Sequence, residues 1–180
     1  MAKSKNTKII RDGWEQYQSN YLRFNIQERP DFYEFFGSGG VELSTDEVEL
    51  VGAVSGLDLL DTCCAADARQ SLSWSNLGAS VTGCDITSSA IEHASATAAR
   101  IGRDIRFVVA DAHTLEPIGD SSQDIVYATY IVWLEDLPQA TRTWHRVLRP
   151  GGRLLLRQSH PLVACLDEQG DGSLRVSESY

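Results

Sequence analysis

The chain contains no apolar run near the roughly 18 residues that a membrane span requires. No apolar stretch follows Met1 that would act as a secretory leader. The expectation is a cytoplasmic protein without a membrane partner. Basic residues are also in short supply: 16 Lys and Arg stand against 25 Asp and Glu in 180 residues, a net charge of −9. The overall field repels nucleic-acid phosphates, and the sparse Lys3, Lys5, Lys8 and Arg11 do not reverse it. Nucleic acid is therefore not an expected partner. Cysteines number four, and Cys63 and Cys64 are adjacent, with no CxxC or paired-histidine spacing beside them. No metal site is expected. Small buried hydrophobes are the ordinary reading of such cysteines, with a reactive thiol at a helix start as the alternative. The most telling shortage is local. The stretch from Leu57 to Asp67 reads as a buried apolar strand ending in an acid, a turn of small residues, and a helix from about Ala68. That is the strand–turn–helix of a nucleotide-binding crossover, yet its turn lacks glycine.

What is present suits one globular domain, with 42% hydrophobic and 23% charged residues. Residues 1–8 are polar. A helix is predicted from about Asp12, with Trp14, Tyr17 and Tyr21 as an aromatic stripe that serves either core packing or a ligand. Pro30 closes that region, and Gly37 to Gly40 reads as a flexible loop. Ser44 and Glu47 have capping-box spacing ahead of a short helix. Strands are then predicted at Leu57–Asp61, Val81–Asp85, Ile105–Ala110, Asp124–Ala128 and Arg153–Arg157. The helices between them run over Ala68–Leu77, from Thr87 or Ser88 to Arg100, and from Asp136 and Pro138 to Arg149. Short apolar strands alternating with helices give an α/β fold, a doubly wound, mostly parallel sheet with helices on both faces. Three strands end in acids, Asp61, Asp85 and Asp111. Ligands of such sheets lie outside the carboxyl ends of the strands, so these acids converge on one crevice. Asp85 follows the small-residue turn by about twenty positions, where an acid accepts ribose hydroxyl hydrogens.

Leu59-Leu60-Asp61 with its small-residue turn, Gly78-Ala79-Ser80-Val81-Thr82-Gly83-Cys84-Asp85-Ile86, Ala110-Asp111-Ala112 and Val147-Leu148-Arg149-Pro150-Gly151-Gly152-Arg153 together resemble a class I S-adenosylmethionine-dependent methyltransferase. The resemblance covers about residues 45–165 and leans toward a bacterial small-molecule subgroup. It implies a Rossmann-like core at 45–160, an N-terminal helical lid or substrate segment at 1–44, and the start of a substrate-side insertion at 161–180. It further implies S-adenosyl-L-methionine as cofactor. Asp61 and the turn with Thr62, Cys63 and Ala65 hold its methionine part. Asp85 takes the ribose and Ile86 packs on the adenine. Asp111 and the Ala112 backbone read the adenine edge, and Thr129 with Tyr130 lines the passage to the substrate. Trp14, Tyr17, Tyr21, Tyr130 and Trp133 become substrate-lining candidates, and His160 the candidate base. Methyl transfer to a small-molecule acceptor, in bacterial secondary metabolism, is the implied function.

The sequence departs from that family at two points. Its Asp-x-Gly-x-Gly-x-Gly outline reads Cys63, Ala65 and Asp67 at the glycine positions. A Cβ where φ is positive costs on the order of 1 kcal/mol, and a carboxylate at Asp67 repels a ligand carboxylate, unless it attracts the ligand's amino group or simply caps the helix. The family also continues with two further strands. The expectation is thus a longer protein, or a homo- or hetero-oligomeric partner covering the edge of strand five. A methyltransferase-fold protein that binds cofactor or partner without methylating stays open. So does a nicotinamide dehydrogenase, although neither Gly-x-Gly-x-x-Gly nor Tyr-x-x-x-Lys is present.

Overall fold

A computed structural model of the chain describes residues 5–129, 131–160, 163 and 165–177, without the side chains of Lys5, Asn6 and Trp133. Five strands form one sheet: β1 (Asp58–Asp61), β2 (Ser80–Asp85), β3 (Arg106–Val109), β4 (Gln123–Thr129) and β5 (Leu148–Arg157). Their order is β3-β2-β1-β4-β5, and every pairing is parallel. The chain reverses direction across the sheet between β1 and β4, which opens a crevice at the carboxyl ends of the central strands.

Among the described residues six α-helices accompany the sheet: α1 (Lys5–Leu22), α2 (Phe32–Gly37), α3 (Thr45–Val51), α4 (Arg69–Asn76), α5 (Ser88–Arg100) and α6 (Leu137–Val147). Alternation along β1 and β4 feeds both faces. Leu59, Ile125 and Tyr127 pack with Val51 and Val54 near α3 and with Trp74 of α4. Leu60, Val126 and Ala128 pack on the opposite face with Ala140, Trp144 and Val147 of α6. Phe32 and Phe36 of α2 fill the space against Leu72 of α4 and Ala94 and Ala98 of α5. These faces are the two apolar layers that a doubly wound sheet requires.

Helix boundaries follow their caps. Ser44 accepts from the Glu47 backbone N–H at 3.3 Å while Glu47 accepts from the Ser44 N–H at 2.8 Å, closing the capping box of α3. Asp136 accepts from the Gln139 N–H at 2.8 Å and starts α6. Several elements differ from the sequence reading, and α6 stops at Val147 rather than Arg149 because Leu148 already pairs in β5. Helix α1 already begins at Lys5, and α2 stands where only Pro30 and a glycine loop were read. Strand β5 takes in Leu148 to Gly152: Leu148 pairs with Gln123 ahead of a register shift, and a Cβ at Gly152 would lie 3.0 Å from the Asp124 carbonyl. The last described segment forms a two-stranded antiparallel hairpin, β6 (Leu166–Glu168) and β7 (Leu174–Val176). Strand β5 lies at one edge of the sheet, with Leu154 and Leu156 on one face 42% and 43% exposed. Among the described residues no helix is long and apolar enough to cross a membrane.

Candidate active site

A cavity of about 200 Å³ lies between the carboxyl ends of β1 to β3 and the inner stripe of α1. Thr62, Cys63 and Ala65 of the small-residue turn form its floor, with Asp85 and Ile86 after β2 and Ala110, Asp111, Ala112 and His113 after β3. Thr7, Ile10, Trp14, Gln18 and Tyr21 of α1 close it from above, and Arg69 and Leu134 complete the wall. Positions 7, 10, 14, 18 and 21 recur at helical spacing, so a single face of α1 meets the sheet ends.

The turn is held by main-chain hydrogen bonds. The Thr62 N–H donates to the Tyr127 carbonyl at 3.1 Å and the Cys64 N–H to the Cys84 carbonyl at 2.9 Å. Ala65 has a φ of +56°, as the missing glycine foretells, and Ala68 follows at +52°. Cys63 and Asp67 are absent from the positive-φ residues, so the strain sits on alanine, the smallest side chain bearing a Cβ. On β2, a Cβ at Gly83 would lie 2.6 Å from the Phe107 ring and 3.1 Å from Cys64. Glycine there lets the turn and the β3 side chain close on the same strand.

Burial dominates the titrating groups. Asp61 is 1% exposed and accepts from the Ser71 hydroxyl at 2.7 Å and the Cys63 N–H at 3.4 Å. Burial pushes its carboxyl up to about 7, against the hydrogen bonds from Ser71 and Cys63. Asp61 thus stands behind the turn and does not line the cavity. Asp85 does line it, and its Oδ1 accepts from the Thr87 N–H at 2.9 Å and the Thr87 hydroxyl at 2.8 Å. Burial raises its carboxyl as well, opposed by Thr87, Ala65 and Ile86. Asp67 is fully buried, and burial raises its carboxyl too, but Arg69 counters it from 2.6 Å. The carboxylate at the third glycine position therefore carries its own countercharge, and Arg69 in turn reaches Glu42 at 3.3 Å. The Cys63, Cys64 and Cys84 thiols are all pushed above the ordinary range, chiefly by burial. For Cys64 and Cys84 that fits buried small hydrophobes, while Cys63 is half-buried on the cavity floor, and a thiolate there is without support.

Asp111 lines the cavity in a fixed orientation. Its Oδ1 accepts from the His113 backbone N–H at 2.9 Å and lies 2.7 Å from His113 Nδ1. His113 Nε2 faces the Asp136 N–H at 3.2 Å and accepts from it. The proton therefore sits on Nδ1, and both ring nitrogens are committed.

Of the residues singled out in the sequence, Trp14, Tyr21, Thr62, Cys63, Ala65, Asp85, Ile86, Asp111 and Ala112 meet in this cavity. Tyr17 is 45% exposed on another side of α1, and Thr129 is buried at the end of β4 without lining the cavity. His160 is exposed beyond β5, outside the cavity. Tyr130 and the Trp133 side chain lie outside the described residues. Gln18, Arg69 and His113 join the wall without having been singled out. Two buried polar atoms of the wall have neither a hydrogen-bond partner nor an ion pair, Thr62 Oγ1 and Gln18 Oε1. Such orphans are rare in a folded interior. An acid that accepts hydroxyls, a fixed carboxylate and an aliphatic wall at Ile86 suit the adenosine of S-adenosylmethionine.

The sequence matches the family described as "Methyltransferase domain" over residues 60–156, more than half of the chain. Phosphoethanolamine N-methyltransferase 1 of Arabidopsis thaliana is 29% identical over 143 residues, 78% of this chain and 28% of that protein. The chain thus spans less than a third of that relative's length. The crystal structure of an S-adenosylmethionine-dependent methyltransferase from Mesorhizobium loti is 26% identical, with a TM-score of 0.56 over 70% of this chain and 59% of that one. Phosphoethanolamine N-methyltransferase 1 of Haemonchus contortus, solved with phosphoethanolamine and S-adenosylhomocysteine, shares the fold at a TM-score of 0.65 and 18% identity, over 97% of this chain and 43% of that one. The strand-end acids, the turn and the Pro-Gly-Gly entry to β5 all fall within or beside the matched region, and the chain belongs to the methyltransferase-domain family, with the fold of a class I S-adenosylmethionine-dependent methyltransferase.

Proposed function

We propose that the cavity binds S-adenosylmethionine and that the protein transfers its methyl group to a small-molecule acceptor. The observation that carries this is the convergence of Asp85, Ile86, Asp111 and Ala112 with the Thr62–Ala65 turn in one cavity. In this reading Asp85 accepts from the ribose hydroxyls, Ile86 packs on the adenine, and Asp111 accepts from the adenine amino group beside the Ala112 N–H. Thr62, Cys63 and Ala65 face the methionine part, while Asp61 supports the turn from behind. The cofactor supplies an electrophilic methyl group, and the protein's part is to orient the acceptor against it, a proximity effect worth several kcal/mol. Thr129 at the end of β4, with Trp14 and Tyr21, is proposed to face the acceptor, and residues 1–44 to act as its lid. The Arabidopsis relative's name specifies a small polar acceptor, which supports the acceptor class. The Mesorhizobium loti likeness supports a bacterial setting, for which we propose a cytoplasmic biosynthetic step.

Among the described residues the histidine of the cavity wall is not free to act as a base, because both nitrogens of His113 are engaged. That observation favours an acceptor that arrives already nucleophilic. It also keeps a second reading in view, a cofactor-binding protein that does not methylate. Calorimetric titration with S-adenosylhomocysteine tests cofactor binding, and transfer of labelled methyl to candidate amines, hydroxyls and carboxylates tests the reaction. Absence of binding to the wild-type protein sinks both readings; binding without transfer to any acceptor favours the second.

A further inference from the structure

We propose that α1 is part of the cofactor site, and that Gln18 recognises the ligand by accepting a hydrogen bond from a ribose hydroxyl beside Asp85. Gln18 is 7% exposed and lines the cavity. Its Nε2 lies 3.3 Å from the Thr87 hydroxyl, and its Oε1 has no partner.

The direction of the amide follows from Thr87. A hydroxyl has one proton, and that of Thr87 goes to the Asp85 carboxylate at 2.8 Å, the shorter contact and the charged acceptor. Toward Gln18 the hydroxyl can only accept, so the NH₂ of Gln18 faces Thr87. This leaves Oε1 as a buried acceptor in the cavity wall. A buried carbonyl without a donor is unfavourable, and a ligand that supplies one is recognised through it.

The place of Gln18 is fixed one turn earlier. Glu15 accepts from the Ser88 N–H at 2.9 Å and the Ser88 hydroxyl at 3.2 Å, and from the Ser89 hydroxyl. These groups open α5, whose own N-cap Thr87 makes no side-chain cap because it is turned toward Asp85. Glu15 thus caps α5 from another helix and pins α1 over the cavity. Gln18, Thr87 and Asp85 then form a chain in which the acceptor oxygen of Gln18 and the carboxylate of Asp85 are two hydrogen bonds apart. A ligand that donates to both acceptors at once carries two neighbouring hydroxyls, and the ribose is the diol of the proposed cofactor. The assignment rests on the cofactor reading given above.

The test is the affinity of the full chain for S-adenosylhomocysteine and for its analogue lacking both ribose hydroxyls, in wild-type protein and in Gln18→Met. Methionine is close to glutamine in length and offers no strong acceptor. S-adenosylhomocysteine is expected to bind the variant roughly tenfold more weakly, and the dideoxy analogue to lose less than about twofold. Gln18→Asn, which withdraws the amide by one methylene, is expected to weaken S-adenosylhomocysteine as well, and it serves if the Met variant fails to fold. Unchanged affinity in a folded variant, or an equal loss for both ligands, overturns the role of Gln18 while leaving the cofactor site standing. A wild-type protein that binds neither ligand overturns the cofactor reading, and this inference falls with it.

Discussion

Asp61 makes a charge-burial argument measurable. The carboxyl is 1% exposed and raised from 3.8 to about 7, chiefly by burial. Between those limits the native protein keeps a proton that the unfolded chain has released. Unfolding therefore releases a proton, and stability falls as pH rises through this window. At about 1.4 kcal/mol per pH unit the full effect is roughly 4 kcal/mol, all of it present below pH 4 and lost above pH 7. Asp61→Asn removes the titration while keeping an oxygen to accept from Ser71. The weak contact from the Cys63 N–H is the smaller loss. Urea unfolding, followed by tryptophan fluorescence, gives stability curves for both proteins from pH 4 to pH 8. Asp67 and Asp85 are also raised, but they are common to both proteins and largely cancel in the difference. The variant is expected to match the wild type within about 1 kcal/mol at pH 4, and to exceed it by about 3–4 kcal/mol at pH 8. Parallel curves across the range refute the reasoning, and would mean that Asp61 is charged in the folded protein at neutral pH.

Two further substitutions probe the turn. Ala65→Gly relieves a φ of +56° and should raise stability by about 0.5–1 kcal/mol in urea unfolding, since the strain removed exceeds the entropy that glycine adds to the unfolded chain. A loss of stability would show that the Ala65 Cβ contributes more by packing than it costs in conformation. Arg69→Met leaves the Asp67 carboxylate buried without its countercharge and should lower stability by about 3 kcal/mol at pH 8, less at low pH where Asp67 takes a proton. Adding Asp67→Ala should restore most of that loss in the same melts; a double variant as unstable as the single one would assign the effect to Arg69 packing alone.

The sheet was legible because its signal is redundant. Each central strand is a short apolar run ending in an acid or at a turn, and Leu59-Leu60 or Ile125 to Ala128 needs burial on both faces to make sense. The edges of elements were less legible. Lys5 to Arg11 is polar, yet the stripe of Thr7 and Ile10 against the cavity carries α1 back to Lys5. The run Phe32–Gly37 lies between Pro30 and a glycine cluster, whose local signals outweigh a helix that tertiary packing of Phe32 and Phe36 sustains. Strands β6 and β7 are three residues each, below what periodicity reveals.

In the site, the acids stood out because they occupy equivalent strand ends. Gln18, Arg69 and His113 did not, since a lone glutamine, arginine or histidine carries no motif. A spacing signal for Gln18 was present: position 18 continues 7, 10 and 14 on the inner face, whereas Tyr17, read as part of that stripe, points elsewhere. The pairing of Asp67 with Arg69 was readable in principle, two residues apart at a helix start. Which neighbour neutralises a buried acid, however, depends on packing that sequence spacing does not record.

The central claim is that the cavity under α1 is the cofactor site. A crystal structure of the protein grown with saturating S-adenosylhomocysteine tests it directly. The account predicts density for the ligand with its ribose at Asp85 and Gln18 and its adenine between Ile86 and Asp111. Density elsewhere on the molecule, or an empty cavity at saturating ligand, would contradict it.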